Sequence, residues 1–126
     1  MNKLLNKYIE VRKRTEEICV PLSIEDYIPQ AVAFTSPPKW HLAHTTWFFE
    51  RMILSKYVNN YVDYNTEYSF LFNSYYNNIG KRVVRNQRGM ITKPSVDDIY
   101  KYRMHIDEHI SKLLSETMSE DGRAHV

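Results

Sequence analysis

Residues Pro37–Glu50 read PPKWHLAHTTWFFE, with two histidines three apart, two tryptophans, two phenylalanines and one acid. The two prolines suit the first turn of a helix, where a missing N–H is harmless. The spacing predicts a helix over 38–58. At about 100° per residue, Trp40, Ala43, His44, Trp47, Arg51 and Leu54 share one side, and Leu42, Phe49, Ile53 and Tyr57 share nearly the opposite side. Such a helix is apolar on most of its circumference and belongs at the centre of a fold. His44 is therefore expected in or beside the core, between Trp40 one turn before and Phe48 one turn after. Glu50 falls near the Trp47 side. His41, about 60° further round, reads as structural or exposed. A buried imidazole needs hydrogen-bond partners or a metal. Taken alone, this helix favours a satisfied core histidine over a ligand.

Outward from it, two more helices are expected. Over 2–18, Leu4, Leu5, Tyr8, Val11, Arg12, Thr15 and Ile18 recur at three- and four-residue steps, and Pro21 sets the limit. Over 95–117, Ser95 and Asp98 suggest a capping box, and Ile99, Tyr102, Ile106, Ile110 and Leu113 form the apolar stripe. The intervening segment is rich in Tyr and Asn. A connection of that length is usually functional or disordered, and its aromatics argue for an ordered loop with short helical turns around Phe70–Tyr76. The tail after residue 118 is polar, lacks an apolar period and reads as frayed.

Composition bounds the rest. The chain has 126 residues, 43% hydrophobic and 25% charged, with a net charge of +2. That is one domain of a globular protein, with no charge excess to suggest a nucleic acid or acidic partner. The lone Cys19 cannot form an internal disulfide, so a reducing cytoplasm is expected. The N-terminus has no long apolar run, so neither a signal peptide nor a membrane span is expected. Ten tyrosines and three glycines stand out. Tyrosine often lines wet clefts, but AT-rich coding bias would give the same count, since Asn and Lys are also common.

Two further groups carry candidate chemistry. His105 and His109 in YRMHIDEHI are four apart and stack on one helical face, a spacing that can hold one metal ion. With His44 they would make a three-histidine site. They flank the apolar stripe on its Tyr102 side, and such pairs are common by chance. In KRVVRNQR, Arg82, Arg85 and Arg88 could clamp carboxylates or simply line a solvated loop. No phosphate loop, dinucleotide fingerprint, CxxC or GxSxG occurs.

Several ordered motifs over roughly residues 12–107 carry a resemblance. They are RKRT (12–15), CVPLSIEDY (19–27), SPPKWHLAHTTWFFE (36–50), FLFNSYY (70–76), GKRVVRNQRG (80–89) and KPSVDDIYKYR (93–103). The chain resembles the N-terminal, DinB-like domain of ergothioneine-biosynthesis (EgtB-type) enzymes. The resemblance implies an all-α, DinB-like helical bundle. It implies a non-haem iron(II) sulfoxide synthase that uses O2 to join a cysteine-type thiol to hercynine. The iron ligands in the family are the second histidine of W-x-L-A-H, matching His44, and two histidines of an H-E-Q-Q-H motif. Family arginines of the following loop contact the thiol donor, making Arg82, Arg85 and Arg88 candidates.

This sequence departs from that pattern. It contains no H-E-Q-Q-H and no formylglycine-generating-enzyme-like domain, which in the family supplies the catalytic tyrosine. His105 and His109 match the ligand spacing only. The expectation is a partial DinB-like domain over 1–118, lacking its last helix, with a tail over 119–126. The chain would carry one of three iron ligands and be inactive alone. A three-helix arrangement would also expose the apolar face its missing helix should cover, favouring self-association. The alternative is a stand-alone DinB-like metal-binding or self-associating helical protein without synthase activity.

Overall fold

In the computed structural model, the described residues are 2–32, 35–73, 83, 88–89 and 91–117. They form an all-α architecture. Helix α1 spans Lys3–Cys19, and a 3₁₀ turn follows at Ile24–Tyr27. Helix α2 spans Pro38–Phe49, with Pro38 at its first position as expected. It passes without interruption into a π-helical turn, Glu50–Leu54, and a last turn, Ser55–Tyr57. Helix α3 is the short Tyr68–Phe72, and α4 is the long Val96–Thr117. Ser95 and Asp98 form the expected capping box: Asp98 N donates to Ser95 Oγ at 3.1 Å and Ser95 N to Asp98 Oδ2 at 3.2 Å. Among the described residues no helix is long and apolar enough to cross a membrane.

Helix α2 touches α1, α3 and α4 and is the central element. Cross-contacts give the directions. Asn2 meets Leu114, Arg12 meets Asp107 and Glu16 meets Arg103, so α1 and α4 are antiparallel. Tyr8 packs edge-on to Phe49 while Arg12 meets Thr46, so α1 and α2 are antiparallel too. Consequently α2 and α4 run parallel. Parallel neighbours need a connection that returns along the helix length, which accounts for the long segment between them. Its FLFNSYY stretch contributes α3, close to the helical turns expected there, and Tyr75 and Tyr76 lie outside the described residues. So do Arg82, Arg85 and residues 118–126.

The α1 stripe holds in part. Of its residues, Tyr8 and Arg12 are buried and Leu5 and Thr15 half-buried, with Cys19 buried on the same face, whereas Leu4, Val11 and Ile18 are 49%, 47% and 64% exposed. The physical reason is a buried polar network. Arg12 Nε donates to Asp107 Oδ1 at 2.7 Å, Tyr8 Oη donates to the same oxygen at 2.6 Å, and Arg12 Nη2 donates to Thr46 Oγ1 at 2.5 Å. Arg103, fully buried, donates to Leu42 O at 2.9 Å, Arg12 O at 3.1 Å and Glu16 Oε2 at 3.1 Å. Helix α1 thus turns two polar anchors inward and leaves Leu4, Val11 and Ile18 to one side. Buried guanidinium groups are tolerated because their donors are met by fixed acceptors.

Candidate functional site

The His44 face of α2 is organised around α3. Trp40 Nε1 donates to Leu71 O at 3.0 Å, and Trp47 Nε1 donates to Ser69 Oγ at 2.9 Å. Between them, His44 Nδ1 lies 2.6 Å from Phe72 O. A carbonyl only accepts, so Nδ1 carries the proton. Three ring N–H groups on one face of α2 therefore hold a five-residue helix whose last carbonyls have no partner within it.

The rings are layered. His44 lies parallel to Trp40, with centroids 4.6 Å apart and planes 10° apart, and 5.9 Å from Trp47 at 23°. The expected neighbour Phe48 is replaced by Trp47. Trp40 also carries Arg88, whose Cζ sits 3.6 Å from the ring centroid, a cation–π contact. Arg88 is buried, with Nη1 donating to Ser36 Oγ at 3.0 Å. Of the three candidate arginines it is the described one, and it lies against the tryptophan rather than on a solvated loop. Gly89 beside it donates its N–H to Gln30 Oε1 at 2.6 Å, and a Cβ there would meet Gln30 Cβ at 2.8 Å. That close approach needs a glycine.

Burial pushes the His44 pKa down, and the Arg88 charge adds to that; the Phe72 carbonyl opposes it. The result is a neutral imidazole with Nδ1 protonated and Nε2 carrying the lone pair. Metal-binding proteins hold an imidazole ligand in this way, with the second nitrogen fixed by a carbonyl or carboxylate.

His105 and His109 lie elsewhere, on α4. Their rings are 4.2 Å apart between centroids, and His105 packs against Tyr64 at 4.9 Å. The pair is brought together as its spacing implies, but not with His44. Among the described residues no three or more His, Cys, Asp or Glu side chains form a group able to hold a metal. His41 is exposed, one of the two outcomes expected for it.

Sequence reasoning missed two features. Glu50, the acid of the opening stretch, is 3% exposed at the start of the π turn. Its carboxylate accepts from Tyr102 Oη at 2.5 Å, Tyr61 Oη at 2.6 Å and Tyr64 N at 2.8 Å. Burial, reinforced by the Glu50 charge, drives the Tyr102 pKa far up, so this phenol stays a donor. The second is Lys39, 3% exposed, whose Nζ donates to Ile91 O at 2.9 Å, Thr92 O at 3.3 Å and Pro94 O at 3.0 Å. It ties the start of α2 to the segment leading into α4. The abundance of tyrosine was the available signal for the first; nothing local pointed to the second.

No protein-family model matches the sequence, and no curated protein matches it significantly.

Proposed function

We propose that this chain is the N-terminal, DinB-like part of an EgtB-type non-haem iron(II) sulfoxide synthase. In this reading it contributes one ligand, His44, to O2-dependent C–S bond formation between hercynine and a cysteine-type thiol in the cytoplasm. The observation that carries the reading is the His44 geometry. Nδ1 donates to Phe72 O at 2.6 Å, and Nε2 keeps its lone pair inside an aromatic stack. The motif resemblance supplies the chemistry. Arg88, stacked on Trp40 beside His44, supports a role for that arginine near the thiol donor.

The described residues fit one ligand position and do not complete a site. Bound iron would supply open coordination positions for thiol and oxygen. This chain's own share is to aim the Nδ1–H of His44 at Phe72 O and to fix the ring between Trp40 and Trp47. One imidazole cannot set the geometry, so metal affinity at His44 alone is weak.

The test has two arms. The 126-residue chain, given hercynine, cysteine or γ-glutamylcysteine, iron(II) and air, forms no sulfoxide. Fused to the H-E-Q-Q-H helix and C-terminal domain of a family member, it forms product, and His44→Ala in the fusion abolishes it. Turnover by the chain alone, or a folded fusion whose activity survives His44→Ala, refutes the reading.

A second reading, a self-associating helical protein without synthase activity, is favoured by Leu4, Val11 and Ile18. Their exposures of 49%, 47% and 64% lie along one line of α1 at seven-residue steps. A clean monomer in sedimentation at high concentration counts against it.

A further inference from the structure

We infer that His105 and His109 form a second, separate site: a two-imidazole clamp on the surface of α4 for a divalent late transition-metal ion such as Zn2+, Ni2+ or Cu2+. The inference does not rest on the His44 reading.

The pair is four residues apart on a continuous helix, so its side chains are neighbours on one face. The rings lie 4.2 Å apart between centroids, tilted by 35°. Two nitrogens each at about 2.0–2.1 Å from one ion are about 3 Å apart, which rings at this separation can meet. His109 Nδ1 is 2.8 Å from His105 O. Since that carbonyl accepts, the proton sits on Nδ1 and the Nε2 lone pair is turned away from the backbone. The His105 ring makes no hydrogen bond with the described residues, so its nitrogens are uncommitted there. Tyr64, 4.9 Å from His105, and Tyr61, 6.4 Å from His109, wall the pair on one side. His109 is exposed, so an ion has direct access.

The ligand chemistry sets the ion. Neutral imidazoles suit zinc, nickel and copper, with copper bound most tightly. Magnesium prefers oxygen ligands and keeps its waters. Two ligands leave further positions to water, so binding is of modest strength and chelation depends on both rings.

The experiment uses the full chain with histidine side chains observed by NMR. Substoichiometric Cu2+ is expected to broaden the His105 and His109 ring signals first. Zn2+ titration is expected to saturate. His105→Ala and His109→Ala each weaken it as far as the double variant does, since one ring alone does not chelate. His44→Ala leaves Zn2+ binding unchanged, and Mg2+ gives no response. Circular dichroism checks that the variants stay helical; His109→Gln, at an exposed position, is a second variant that removes the ligand with least disturbance. Zn2+ binding at parental affinity in folded His109→Ala or His109→Gln overturns the proposal, as does its loss in His44→Ala or unperturbed His105 and His109 signals at Cu2+ levels that broaden others.

Discussion

Replacing Glu50 by Ala removes an acceptor on which three donors converge. Tyr102 is fully buried, so its hydroxyl, now 2.5 Å from the carboxylate, would be left without water or partner. An unpaired buried donor costs about 1–3 kcal/mol. Tyr61 is half-buried and Tyr64 exposed, so their donors turn to water and each forfeits about 0.5–1 kcal/mol. The vacated volume adds about 1 kcal/mol. Against this, Glu50 makes no ion pair with a described Lys or Arg, and removing a carboxylate buried without a cation recovers about 1–2 kcal/mol of desolvation. The net loss is about 3 kcal/mol, a large share of the about 5–15 kcal/mol that holds a domain together. For a chain of this size it lowers Tm by about 10 °C. Glu50→Gln keeps the shape and one acceptor, and a tyrosine hydroxyl can turn to accept from the amide, so it loses about 1 kcal/mol. Urea unfolding followed by circular dichroism and by the fluorescence of Trp40 and Trp47 measures both; coincident transitions license the free energies. A Glu50→Ala protein within about 0.5 kcal/mol of the parent, or a Glu50→Gln protein damaged as badly as Glu50→Ala, refutes the hydrogen-bond account.

Three further outcomes follow from the same geometry. Thr46→Val removes a fully buried hydroxyl that accepts from Arg12 at 2.5 Å and Arg103 at 3.3 Å, and costs about 2 kcal/mol in urea unfolding. Lys39→Met leaves the carbonyls of Ile91, Thr92 and Pro94 without their shared donor; stability falls by about 1–2 kcal/mol, and amide exchange quickens first in residues 91–93. The pH dependence of stability carries a His44 component. Its folded pKa lies below the ordinary 6.5, so between the two values the unfolded chain binds more protons and stability rises with pH. The contribution is complete above 6.5 and is lost as pH falls through the folded value. His44→Gln should flatten that part of the profile; an unchanged slope contradicts it.

The helices were legible because their limits are written in local chemistry: Pro37 and Pro38 at the start of α2, Ser95 and Asp98 at the cap of α4. The centrality of α2 was legible because its apolar residues surround it. The inward face of α1 was legible in part: Tyr8 and Arg12 of the expected stripe are buried, while Leu4, Val11 and Ile18 of it are exposed. Periodicity alone does not show that Arg12 and Arg103 are core residues, because their acceptors lie on other helices. Glu50 was hidden for a related reason. Its donors come from residues 61, 64 and 102, and the π turn it opens alters the helical register that a wheel assumes. At the candidate site, the sequence placed His44 beside Trp40, but only the fold supplies Phe72 O, which decides where its proton sits.

The most direct test of the central claim is the tautomer of His44, read from the nitrogen-15 shifts of its ring in the intact chain at neutral pH. The account predicts a neutral imidazole protonated at Nδ1, with an unprotonated Nε2 ready for a metal. A ring protonated at Nε2, or doubly protonated at that pH, contradicts it.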